Sequence, residues 1–106
     1  MTKYLNKKCE YQGKKFDSMK EMRFFIYLKQ LEEKGTIKDL KLQVKFPVVV
    51  NKKRICSYIA DFTYYDEFGY HVVDVKSPIT SKNPVFRLKK KLVEALYNFE
   101  IEVNYS

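Results

Sequence analysis

A chain of 106 residues has room for one domain around a single core, and nine Tyr and eight Phe give it far more apolar surface than a disordered tail carries. Its 21 Lys and Arg against 13 Asp and Glu leave a formal charge of +8, which favours encounter with a polyanion. The longest apolar run, residues 46–50, is about a quarter of a membrane span, and Cys9 and Cys56 lie far apart with no metal-ligand spacing.

Residues 1–16 read as a basic segment in which Gly13 turns the chain between two short extended pieces. Lys3, Lys7 and Lys8 lead into no apolar run, so the expectation is no secretory signal, no membrane and free thiols in a reducing cytoplasm. A helix starts at Asp17 or Ser18. Met22, Phe24, Phe25, Leu28 and Leu31 recur with helical period, and Lys34 and Gly35 supply a basic last turn and a C-cap glycine.

From Leu40 the period changes to two. Leu42, Val44 and Phe46 alternate with Lys41, Gln43 and Lys45, which predicts a strand with one wet face. Pro47 ends that strand or confines it to a sheet edge, and residues 48–50 resume it before a polar turn at 51–53. Residues 55–65 and 70–76 form two further strands, joined by Asp66-Glu67-Phe68-Gly69 with type I turn chemistry. Residues 77–83 read as a loop. Asn83 then caps a helix opened by Pro84, with Val85, Leu88, Leu92 and Leu96 as its apolar stripe and Arg87, Lys89, Lys90 and Lys91 around the other faces. A last strand alternates Phe99, Ile101, Val103 and Tyr105 with Glu100 and Glu102. The order helix, three strands, helix, strand defines a single α/β domain over 1–106, with no repeat and no linker.

Asp61, Asp74 and Lys76 stand inside two apolar strands, where unpaired charge is costly. Residues two apart on a strand share a face, so Asp74 and Lys76 point the same way about 7 Å apart. If the turn pairs Tyr65 with Tyr70, Asp61 sits opposite Asp74; a three-residue loop pairing Asp66 with Tyr70 brings Phe62 there instead. In the first register two carboxylates meet and repel, and a divalent cation such as Mg²⁺ removes the conflict. A neighbouring lysine then stabilises charge on a phosphate, or orients or deprotonates an attacking water. Without a metal, Asp74 and Lys76 are an ordinary ion pair at a strand end.

Glu21 has two readings. It stands at the fourth position of a capping box begun by Ser18, and it also shares the stripe of Phe24, Phe25 and Leu28 that faces the sheet, where it would add a third carboxylate. Gln43 lies on the polar side of its strand. His71, the only histidine, faces opposite Asp74 and reads as a surface or packing residue. No phosphate-cradling glycine loop and no paired nucleophile and base occur.

An acid in the first helix (Glu21), an acid in a strand (Asp61) and Asp74-Val75-Lys76 in the next strand resemble the PD-(D/E)xK nuclease superfamily, and the element order matches its restriction-endonuclease-like core, a mixed sheet flanked by helices. More narrowly, the chain resembles a family of small phage and prophage proteins of formerly unknown function. That likeness rests on Lys-Phe-Asp-Ser running on to Glu21, Tyr-Ile-Ala-Asp-Phe at 58–62, Asp-Val-Lys, Thr80 and Phe-Arg-Leu-Lys at 86–89.

The resemblance implies a Mg²⁺-dependent endonuclease, with Mn²⁺ substituting, that cuts duplex or branched DNA in the bacterial host cytoplasm. It also implies kinship with Holliday junction resolvases and transposase-partner endonucleases, a homodimer, and partners in phage replication or recombination. Asp61 and Asp74 would bind metal, Lys76 would serve catalysis and Glu21 would assist the metal or its water. Candidates for DNA contact are Gln43, Thr80, Arg87, Lys89 and Lys91. Two positions depart from the motif: Asp61 follows Ala60 where a proline is common, and Asp74 stands where many members have Glu. The rival expectation is a basic protein that binds DNA and recruits phage proteins without cutting; a structural or packaging protein is a third.

Overall fold

The computed structural model describes residues 9–105, so the first half of the basic N-terminal segment lies outside them. Strands β1 (Cys9–Tyr11) and β2 (Lys14–Phe16) form a small antiparallel hairpin turned through Gln12 and Gly13, both at positive φ. It delivers the Phe16 ring into the core. Helix α1 (Met19–Glu33) begins at Ser18, whose hydroxyl accepts the Glu21 N–H at 3.1 Å. It stops at the C-cap Lys34, followed by Gly35 at φ +82, a left-handed conformation that costs a side chain more than glycine.

The main sheet has the order β3 (Lys38–Val50), β4 (Lys53–Asp66), β5 (Gly69–Lys76), β6 (Ile101–Tyr105). The first three strands are antiparallel and β6 runs parallel to β5, so the sheet is mixed. Asn51 and Lys52, both at positive φ, make the tight β3–β4 turn, a geometry that suits the twist of paired strands. In the β4–β5 turn the Asp66 carboxylate accepts the N–H groups of Phe68 and Gly69 at 2.7 and 3.1 Å. Tyr65 therefore pairs with Tyr70, the register that brings Asp61 to Asp74. Pro47 does not end β3; it sits within an edge strand opposite Ser57, the alternative its missing N–H allows.

Two cores lie on opposite faces, since the adjacent residues Val72 and Val73 belong to different ones. On one face α1 packs Phe25 and Leu28 with Phe16, Ile37, Phe62 and Val73. On the other, Val93 packs with Phe46, Val48, Tyr58, Ala60, Val72 and Ile101.

The structure corrects the expectation of one wet face on β3. Leu42 packs in the α1 core, whereas Val44 and Phe46, at the same parity, pack in the other. Between them lies Gln43, in the left-handed region at φ 53. Strand β4 changes sides at the same level, with Tyr58 and Ala60 in one core and Phe62 and Tyr64 in the other. Asp61 stands at the point of exchange.

Two further expectations change. Residues 77–83 are not all loop: α2 (Pro78–Ser81) is a single turn of helix with Ser77 and Thr80 bonded reciprocally as a capping box, too short to show an apolar period. Helix α3 (Pro84–Tyr97), capped by Asn83 as expected, does not bury the predicted stripe: Val85, Leu88 and Leu96 are 61, 59 and 46 % exposed, while Val93 is fully buried and Phe86 and Leu92 are half-buried. Polar tethers help set this rotation. Lys89 Nζ donates to the Ser57 carbonyl at 3.1 Å and the Tyr97 hydroxyl to that of Pro47 at 2.9 Å, turning the helix toward the Phe86–Val93 side. Among the described residues no helix is long and apolar enough to cross a membrane.

Candidate active site

The β4–β5 backbone pairing runs from Asp66–Gly69 to Phe62–Val73. Beyond it, carboxylates take the place of carbonyls. Asp74 Oδ1 accepts the Asp61 N–H at 3.0 Å, and Asp61 Oδ2 accepts the Val75 N–H at 2.9 Å. The two acids thus sit at one level of the sheet, each held by the other strand. Asp74 is fully buried, and its second oxygen receives the hydroxyl of buried Tyr58. The Gln43 side-chain amide reaches Asp61 Oδ1 at 3.5 Å, so the left-handed residue of β3 also touches the site.

Lys76 shares the Asp74 face, as the two-residue period requires, and its Nζ lies 4.8 Å from the centre of the Phe86 ring. Its ammonium acts on all three acids, drawing down the pKa of Asp61, Asp74 and Glu21. Burial works the other way and prevails. It pushes the Asp74 carboxyl above its ordinary range, against Lys76 and the Asp61 N–H. It does the same to Asp61, against the Val75 N–H, Lys76 and Gln43.

Glu21, 8 % exposed, is pushed up to about 7, first by burial and then by the charges of Asp61, Asp17 and Asp74. Glu21 therefore does more than follow a helix cap: its carboxyl belongs to the same electrostatic cluster as the strand acids.

The other candidates are placed differently. The Thr80 hydroxyl is engaged with Ser77 in the α2 cap, and Lys89 is tied to β4. Arg87 and Lys91 are exposed on α3. His71 lies apart from the cluster, between Asp66 (2.8 Å) and Glu102 and stacked on Tyr64. Cys56 is a free thiol.

Sequence reasoning passed over two residues. Tyr58 read as one more apolar position, although a buried tyrosine hydroxyl requires a partner and Asp74 provides it. Asp17 read only as a helix start, although its charge raises both Glu21 and Asp61.

Among the described residues no group of three His, Cys, Asp or Glu is disposed to hold a metal ion by itself. The chemistry of the cluster nonetheless fits a hard cation. Its donors are carboxylate oxygens, and three desolvated acids face the charge of one lysine. Asp61 and Asp74 would hold such an ion, with Glu21 beside them and the remaining positions left to water and a phosphate.

Fold and site together define a small mixed α/β domain with an acid–lysine cluster where two strands part. The chain belongs to the family described as a protein of unknown function (DUF1064), whose model matches residues 1–106. No curated protein and no solved structure matches it.

Proposed function

We propose that the protein is a metal-dependent endonuclease with a restriction-endonuclease-like core, hydrolysing phosphodiester bonds of duplex or branched DNA with Mg²⁺ or Mn²⁺. Its setting would be phage replication or recombination in a bacterial host cytoplasm, as the resemblance at Glu21, Asp61 and Asp74-Val75-Lys76 implies. One observation carries the reading: Asp61 and Asp74 meet at one level of the sheet, Asp74 Oδ1 accepting the Asp61 N–H and Asp61 Oδ2 the Val75 N–H, in a partly buried cluster with Glu21 and Lys76 where burial pushes all three carboxyls upward. A structural ion pair would lower its acid; this cluster is poised for added positive charge.

The residues divide the work. A bound divalent cation supplies Lewis acidity toward a phosphate oxygen and a lowered pKa for water. Asp61 and Asp74, fixed by backbone N–H groups on opposite strands, provide anionic oxygens at a set separation. Lys76, confined by the Phe86 ring, places a positive charge where the phosphate becomes more negative. Glu21, with a pKa of about 7, is suited to accept the proton of an attacking water at neutral pH. Water oxygen would bond to phosphorus as the bond to the leaving ester oxygen breaks, the water proton passing to Glu21 and the leaving oxygen taking up a proton from solvent.

A second reading has its own observation. Both Asp74 oxygens already accept hydrogen bonds, from Asp61 and Tyr58, which suits a basic protein that binds DNA without cutting it. Labelled linear, flapped, single-stranded and four-way DNA, incubated with Mg²⁺ or Mn²⁺, separates the two. Nuclease function predicts product from at least one substrate, and its loss in Asp74→Ala and Asp74→Asn with binding retained. Tight binding without product from any substrate establishes the non-cutting protein instead.

A further inference from the structure

Beside the acid cluster lies an open cavity of about 350 Å³ between α1 and the β5–β6 pair. Lys20, Arg23, Phe24 and Tyr27 line it from α1, at the spacing of one helix face, and Val75 and Asn104, register partners across β5 and β6, complete it. Val75 links the cavity to the site, because its N–H holds Asp61 Oδ2 at 2.9 Å.

The lining has a definite chemistry. Among the described residues that line it are two cations, two aromatic rings and the amide-bearing Asn104. The Phe24 ring packs edge-on against Phe62 at 5.5 Å and is anchored in the core, whereas Tyr27, 6.0 Å from Phe24, is 54 % exposed and presents its ring to a ligand. A purely apolar guest has no use for the cations, and a small carboxylate has none for the rings. A planar base joined to a phosphate uses all of them: the rings stack the base, the Asn104 amide reads a donor or acceptor on its edge, and Lys20 and Arg23 meet the phosphate.

We propose that this cavity receives one unstacked nucleobase of a polynucleotide, whose backbone then runs past Val75 toward Asp61 and Asp74. The inference rests on the nucleic-acid side of the proposed function and not on cleavage. It narrows the substrate class to single strands, flaps and junctions, because a base inside an intact duplex must first give up its stacking and pairing.

The test is binding in EDTA, with a short single strand carrying 2-aminopurine, a matched strand with an abasic site at that position, and the intact duplex. The wild-type chain is expected to quench the 2-aminopurine and to bind the single strand more tightly than the duplex. Tyr27→Ala should weaken single-strand binding about tenfold and remove the quenching, while Tyr27→Phe keeps both. With the abasic strand the difference between wild type and Tyr27→Ala should vanish.

Equal affinity of wild type and Tyr27→Ala, an equal loss on the abasic strand, or a preference for intact duplex overturns the proposal. Because Tyr27 is exposed, circular dichroism of the variant should match the wild type. Failure to cleave with Mg²⁺ would remove the nuclease reading and leave this one standing; failure here with cleavage intact would do the reverse.

Discussion

At the turn end of the β4–β5 hairpin, His71 lies between Asp66 and Glu102 and stacks on Tyr64; at the other end Asp61, Asp74 and Glu21 share Lys76. In the first cluster burial also opposes charge, but it is overcome: His71 and the turn N–H groups draw the Asp66 carboxyl below its usual range, and the hydrogen bonds and charges of Glu102 and Asp66 draw His71 above its own, so each group favours the charge it carries. In the second all three acids are driven upward by burial. Pairing explains the one. The other holds its acids in a state that folding alone disfavours, and it is this contrast on which the proposed metal binding draws.

Breaking the second cluster should matter most. Lys76→Ala is expected to lower cleavage about 10²–10³-fold, with DNA binding changed much less, in single-turnover assays on the best substrate of the DNA panel. Comparable loss from His71→Ala would erase the distinction between the two ends.

Next is Glu21→Gln. The folded pKa of Glu21, about 7, exceeds its ordinary 4.5, so the native state binds the proton more tightly than the unfolded chain. Stability from this group is therefore greatest below about pH 4.5, falls as pH rises to about 7, and stays low above it. The glutamine variant should be more stable than wild type by about 1–3 kcal/mol at pH 8 and no more stable near pH 4.5, as read by urea denaturation.

Tyr58→Phe removes the hydroxyl that Asp74 receives, leaving a buried oxygen short of a donor. The loss should be about 1–2 kcal/mol in the same assay.

The smallest effect belongs to the paired end. His71 has a raised pKa, so its contribution is present below its unfolded value and disappears as pH rises through the folded one. His71→Ala should cost about 0.5 kcal/mol at pH 6 and nearly nothing at pH 8. A larger or pH-independent cost would show that stacking on Tyr64, rather than charge, holds the residue.

The local chemistry of the turns was legible because it depends on a few neighbouring atoms: Asp66 and Gly69 marked the β4–β5 turn, and Asn83 with Pro84 marked the start of α3, whereas the choice between the two registers open to that turn, which decides whether Asp61 meets Asp74, came only with the structure. Rotation about an element's own axis was not. The α3 stripe follows the helical period, yet tethers from Lys89 and Tyr97 to β4 and β3 turn Leu88 outward. The exchange of cores at Gln43 escaped for a similar reason, since alternation along a strand survives a left-handed residue while its meaning does not. Tyr58 was hidden because its ring satisfies the apolar pattern and only the three-dimensional neighbour, Asp74, reveals what its oxygen does.

That exchange of cores divides β3 and β4 into two halves, one gripped by α1 and the other by α3, with Gln43 and Asp61 at the joint. Close-packed interiors resist slippage within either half, so any torsion between the helices concentrates at the joint. The spacing of the acids is thus coupled to the angle between two separately packed halves: a load that twists α1 against α3 would reach the carboxylates through the backbone itself.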